Sequence, residues 1–285
     1  MLSPWRRQAL AGAALAALLA LQGCASGPRA NPQDPFEPFN REVSKFNEGV
    51  DAVVLKPSAT FYRENVPPLV RTGVANFFGN LGDAWSAVNS ALQLKVRDAA
   101  ENAMRFSVNT VFGLGGILDI ASEANIERHR EDFGKTLGHW GVPAGPYVVL
   151  PLLGPSTLRD TLALPVDYQG DLVREIDPAG TRNSLYVLRA VDVRANLLRV
   201  GDVLEGAALD KYSFTRDAYL QRRRSLIESG RTGRGGGGGG DDDYEYEDEG
   251  EGEGGTAPAA PAAPAAPAAP AAPAAPAAPA APPSR

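Results

Sequence analysis

The sequence predicts a mainly α-helical body, and three observations carry that expectation. Apolar residues recur at spacings of three and four through several long stretches. Helix-start chemistry, Asp-Pro with a Glu close behind, stands before the first of them. Glycine clusters sit where the periodicity stops. The chain has 285 residues, and the two ends fall outside this body. Residues 1–23 read as an export signal, 24–33 as a linker, 34–230 as one helical domain and 231–285 as a tail.

The first segment sets the compartment. Arg6 and Arg7 precede an apolar run from Ala9 to Leu21, which is 13 residues long. A bilayer span takes about 20 residues, so the run reads as a secretory signal. It ends in Leu21-Gln22-Gly23-Cys24, which resembles a bacterial lipobox. Cys24 is the single cysteine of the chain, so no internal disulfide is available to it. Cleavage before Cys24 and acylation of its thiol and amine give it a use, and several acyl chains hold a protein firmly in a membrane. Ala25 follows the cysteine where an aspartate would favour the inner membrane, so outer-membrane sorting is expected.

The body begins with Asp34 as the expected N-cap, Pro35 first in the helix and Glu37 third. Phe39, Val43, Phe46, Val50 and Val53 then form one helical face, with Pro57 near its end. Helices are expected from Pro68 to about Asn80 and from Asp83 to Gln93. Val96 to Phe112 carries a wide apolar face that includes Ala100, Met104 and Val111, and it stops at Gly113-Leu114-Gly115-Gly116. Residues 138–155 are rich in Gly and Pro and read as extended, with Val148 to Leu153 as a short strand candidate. Thr181 to Glu205 has a stripe of Leu185, Leu188, Val191, Ala195 and Leu198. Ser213 to Ser229 reads as a closing polar helix with Arg222, Arg223 and Arg224.

The tail reads by composition as solvated and dispensable, with a tether or spacer reaching through the envelope as the sharper alternative. Residues 235–240 are glycine, nine acidic residues lie between Asp241 and Glu253, and Pro-Ala-Ala repeats fill 257–282. Such a sequence buries too little apolar surface to offset chain entropy, and in polyproline II the repeat reaches about 80 Å. Residues 235–285 net −8 and residues 1–23 net +2, so within the formal charge of −6 the stretch from Cys24 to Arg234 is neutral. A neutral body offers no electrostatic footprint for nucleic acid.

Catalytic patterns dissolve on inspection. His129 and His139 lie ten apart, without cysteine or a tight carboxylate pattern, so no metal site is expected. The glycine run follows a helix instead of a strand and fails the context of a phosphate loop. Asp132-Phe133-Gly134 has no accompanying kinase motif, and no Gly-x-Ser-x-Gly elbow occurs. The expectation is a protein that is not an enzyme and takes no cofactor.

Many short strings, in order, resemble one family. They include Asn31-Pro32-Gln33-Asp34-Pro35-Phe36-Glu37-Pro38-Phe39-Asn40-Arg41 and Asn76-Phe77-Phe78-Gly79-Asn80-Leu81. Arg105-Phe106, Asn109-Thr110 and Gly113 through Asp119 follow. The densest is Glu131-Asp132-Phe133-Gly134-Lys135-Thr136-Leu137-Gly138-His139-Trp140-Gly141, continuing to Arg159-Asp160. Residues 31–220 are thereby similar to the MlaA/VacJ lipoproteins.

That resemblance implies an outer-membrane lipoprotein of a Gram-negative bacterium, with a helical ring in the inner leaflet and a central amphipathic channel. It implies removal of phospholipids misplaced in the outer leaflet, their transfer to a periplasmic carrier, and association with a trimeric porin. The transport direction comes from the resemblance alone. Phe39, Asn40 and Arg41 at the first helix, and Gly113, Gly115 and Gly116 in the glycine run, are the candidate channel or gating residues. The rival reading is a structural envelope lipoprotein acting as a tethered interaction module.

Overall fold

The computed structural model describes residues 31–199 and 210–232. The expected signal, Cys24, the far end of the Thr181–Glu205 helix and the tail beyond residue 232 lie outside the described residues. The fold is mainly helical, as the periodicity predicts.

Helix α1 spans Glu37–Val50 and runs through a π-helical turn, Asp51–Leu55, into α2, Lys56–Asn65. Pro57 therefore opens a helix instead of closing one, in the first turn where its missing N–H costs nothing. Asp34 does not cap α1. The cap position is Phe36, with no side-chain cap, because the Asp34 carboxylate is committed elsewhere in the body.

Helix α3, Pro68–Leu92, is one element where the sequence suggests two. Glycines at 79 and 82 cost propensity, but packing against α4, Val96–Val111, outweighs that. The two helices form an antiparallel pair joined by a three-residue turn. A short α5, Ile120–Glu123, and α6, Phe133–His139, follow, each capped by the carboxylate of Asp119 or Asp132. The strand candidate becomes β1, Tyr147–Leu150, paired antiparallel with β2, Gly154–Thr157, with Tyr147 opposite Thr157. Helix α7, Leu158–Gly170, a 3-10 turn at Leu172–Glu175, α8, Ala179–Asn196, and α9, Lys211–Thr232, complete the described residues.

The stripe of α8 packs as expected. Leu188, Val191, Ala195 and Leu198 meet Ala59 and Tyr62 of α2 in an apolar cluster. A second small cluster joins Tyr147 and Val149 of β1 to Tyr212 of α9.

Elsewhere the burial is inverted. Among the described residues, buried polar and charged side chains outnumber buried apolar ones. An apolar helix face ordinarily turns to the core. In α1 and the π-helical turn after it, Phe39, Phe46 and Val53 point to the exterior, and the one buried residue of α1 is Asn40. In α4, Val96, Met104 and Val111 are exposed, while Asn102, Arg105 and Asn109 are buried. Among the described residues, no helix is long and apolar enough to cross a membrane.

Candidate functional site

The candidate site is a buried polar seam with apolar surface outside it. Its backbone is the α3–α4 pair. Asn102, Arg105 and Asn109 recur at spacings of three and four, so they form one face of α4. Asn80, Asp83, Ser86, Asn89 and Ser90 form the facing stripe on α3. The Asn80 amide donates to Thr110 Oγ1 at 3.0 Å.

Arg105 anchors the seam. Its guanidinium donates to Asp119 Oδ2 at 2.6 Å, to Ser122 Oγ at 3.1 Å and to the Ile126 carbonyl. Its Nε lies 3.4 Å from Asp83 Oδ2. Arg128 closes a four-member network, 3.0 Å from Asp83 and 3.4 Å from Asp119. Burial pushes the Asp83 carboxyl up, against the pull of Arg128 and Arg105. Burial pushes Asp119 the same way, but hydrogen bonds from Ser122 and Asn109 and the nearby arginines hold it below the usual range. Asn109 accepts from the Ala121 N–H and donates to Asp119, so the loop after α4 is stitched back onto it.

The polar seam continues toward α6. Glu131 accepts from Lys95 Nζ at 2.8 Å and Gln93 Nε2 at 3.0 Å. Thr136 Oγ1 donates to Asn89 Oδ1 at 2.8 Å. A cleft of about 300 Å³ lies beside it, lined by Glu131, Lys135, Arg222 and Arg223 among others. Arg223 of α9 holds Asp132 at 2.6 Å and Asp160 at 3.0 Å, fixing α9 to α6 and α7.

The three candidates at the start of α1 have three different surroundings. Phe39 is 60 % exposed. Asn40 is fully buried and joins separate parts of the chain. Its amide nitrogen donates to Asp34 Oδ1 at 2.8 Å and to the Tyr147 carbonyl at 3.1 Å, and its oxygen accepts from the Val149 N–H at 2.9 Å. Asp34 in turn accepts from Tyr212 Oη at 2.6 Å and from Arg216 at 3.3 Å. Arg41 pairs with Glu37 and, at 2.7 Å, with Asp210. The hydrogen bond from Arg41 holds the Asp210 carboxyl far below its ordinary range.

Asn47 was not singled out from sequence, yet it repeats the role of Asn40 two turns later. It donates to the Leu150 carbonyl at 2.9 Å and accepts from the Leu152 N–H at 2.8 Å. Seven residues separate the two asparagines, so they share a face of α1. That i, i+7 amide pair is the signal in the sequence. It places Leu152 and Leu153 at an exposed hairpin tip.

The glycine candidates form a tight helix stop. Gly115 and Gly116 have φ of 75° and 94°, and Leu114 also adopts positive φ. The Gly116 N–H donates to the Asn109 carbonyl at 2.8 Å. A Cβ on Gly116 would meet the Asn80 side chain at 2.6 Å, and one on Gly113 the Leu118 carbonyl at 2.2 Å. Gly115 faces open space. The turn presents Phe112, Leu114, Ile117 and Leu118 to the exterior. Cys24 lies outside the described residues. The two asparagine–arginine regions at α1 and α4 are not in one cluster: the α1 residues bind the hairpin and α9, the glycine turn binds α3.

Comparison with known proteins follows the same lines. The family model for the MlaA lipoprotein matches residues 32–226. The chain is 36 % identical over 222 residues to the intermembrane phospholipid transport system lipoprotein MlaA of Escherichia coli K12, covering 74 % of this chain and 85 % of that protein. It is 35 % identical over 228 residues to the protein of that name from Haemophilus influenzae, covering 76 % and 90 %. A solved structure described under "Structural basis for maintenance of bacterial outer membrane lipid asymmetry" matches with a TM-score of 0.57 at 35 % identity. It covers 68 % of this chain and 98 % of that one. With a family match across the helical body and relatives of this identity and coverage, the chain belongs to the MlaA lipoprotein family.

Proposed function

We propose that this protein is an outer-membrane lipoprotein that removes phospholipids from the outer leaflet and passes them to a periplasmic carrier. The observation that carries the reading is the inverted burial: polar side chains inside, apolar ones outside. In water, exposing so much large apolar surface is costly, and extended patches of it mark interaction with lipid or protein. In lipid, helices are held together by close packing and interhelical polar bonds, which is what the α3–α4 seam supplies. A body with such a surface and no crossing helix among its described residues suits residence in one leaflet.

The rest of the reading draws on family membership. The body forms a helical ring whose channel is polar for headgroups and bordered by apolar surface for acyl chains. Transport has no covalent step: the headgroup moves past polar groups while the chains stay in contact with apolar side chains. Cys24 carries the acyl anchor, a trimeric porin is the membrane partner, and a periplasmic phospholipid-binding protein receives the cargo. Phe39 and the turn at Gly113–Gly116 are the gating candidates; Asn40 and Arg41 hold the frame around Phe39.

The test is a reconstituted transfer assay. Full-length protein in liposomes with labelled phospholipid should deliver label to a purified soluble carrier, and a strain lacking it should accumulate phospholipid at its surface. Absence of both effects, with the protein at normal abundance, would refute the reading.

A further inference from the structure

Outside the seam, one cluster of side chains is unused by the reading above. Asp98 and Glu101 sit one turn apart on α4, and His129 approaches them from the loop before α6. Their ligand atoms all lie within 4.8 Å of one another, and all three residues are half-buried. His129 Nε2 is 2.6 Å from Glu101 Oε2. Glu127 Oε2 lies 4.0 Å from the same nitrogen. Three carboxylates therefore surround one imidazole, with Arg97 as the neighbouring cation.

The supports of this cluster are already in place. Asn102 accepts from the His129 N–H at 3.0 Å and donates to its carbonyl at 2.7 Å, which fixes the residue on both sides. The two oxygens of Glu101 are divided: Oε1 accepts from Arg97 Nε at 2.8 Å, and Oε2 faces His129. Arg97 can keep its bond while Oε2 binds something else, as an outer partner orients a ligating carboxylate.

We propose that Asp98, Glu101 and His129 form a binding site for a divalent transition ion of the zinc class, with Glu127 beside it. One imidazole and two carboxylate oxygens give three protein ligands, and water completes a four-coordinate set of the kind zinc accepts. Tetrahedral Zn–N and Zn–O bonds of about 2.0–2.2 Å put ligand atoms about 3.3 Å apart. The His129–Glu101 pair then opens by less than 1 Å from its 2.6 Å contact. Two positive charges offset the excess of carboxylate over guanidinium. The ion would pin the 124–132 loop to α4, beside Arg128 and its bonds to Asp83 and Asp119. This role is structural and independent of lipid transport.

The experiment uses detergent-solubilised full-length protein, free of affinity tag and stripped with chelator. Zn²⁺ is titrated by calorimetry, and Co²⁺ by the visible absorption that four-coordinate sites give. One saturable site is expected. His129→Ala should weaken binding at least about 10-fold. Asp98→Asn, which keeps the side-chain shape, should do the same and carries the test if the first variant fails to fold. His139→Ala should bind as wild type. The proposal is overturned by any of three results: no saturable uptake by wild type, wild-type binding in a folded His129→Ala or Asp98→Asn protein, or loss of binding in His139→Ala.

Discussion

Phe39 and Asn40 are adjacent in sequence and opposite in environment. Asn40 satisfies an internal carboxylate and two backbone groups of β1 at once. Truncating it to alanine leaves those groups buried and unpaired, so Asn40→Ala should destabilise the body by about 3 kcal/mol in denaturant titration. Phe39→Ala removes an exposed ring and should change stability by about 0.5 kcal/mol or less, while slowing phospholipid transfer. A Phe39→Ala protein with full transfer would remove it from the gate. Arg105 is the sharper case: its charge is buried against Asp119 and Asp83. Arg105→Met leaves those carboxylates without it and should cost about 3–5 kcal/mol, read from the midpoint of unfolding. The type of residue was visible in the sequence at each of these positions, but its direction was not. Periodicity reports that a helix has two faces; it does not say which one meets solvent of what kind.

The helical elements were legible where periodicity was long, as in α4 and α8. Besides Pro57, two boundaries differ from the expectation for identifiable reasons. Asp34 has the chemistry of an N-cap, but Asn40, Tyr212 and Arg216 claim its oxygens. The two helices expected over 68–93 are one, α3, held through Gly79 and Gly82 by packing against α4. Asn47 and His129 were missed as partners because their counterparts lie about 100 and 28 residues away. The glycine run was legible as a stop, and the structure divides its members by mechanism. Gly115→Ala meets nothing and pays only for its positive φ, about 1 kcal/mol, so it tests gating without disturbing packing. Gly113→Ala drives a methyl into a carbonyl and should destabilise by about 3 kcal/mol, so a transport defect there would be uninformative. The α9 clasp gives a pH test. Burial opposes ionisation of Asp132 and Asp160, yet Arg223 holds both below the ordinary carboxylate range. A depressed carboxylate stabilises the fold above its unfolded pKa and stops doing so as pH falls through its folded one. Amide-exchange protection of α9 should therefore be steady near neutrality and fall below about pH 4, and Arg223→Met should lower it already at neutral pH. Equal protection at pH 3 and pH 7 would contradict the clasp.

For the whole molecule, the neutral body found by sequence has an arrangement that composition could not reveal. Charged side chains such as Asp83, Arg105 and Asp160 are buried and paired inside it, while many of its large apolar side chains are exposed. A core-forming reading of the apolar stripes is right for α8 on α2 and inverted for α1 and α4. The inversion is what carries the proposal that lipid surrounds the exterior. Photo-crosslinking in the intact envelope tests this most directly. A photoreactive residue placed singly at Leu69, Val96 or Val111, all strongly exposed, should yield phospholipid adducts at each position. Adducts with no phospholipid at any of the three would contradict the account.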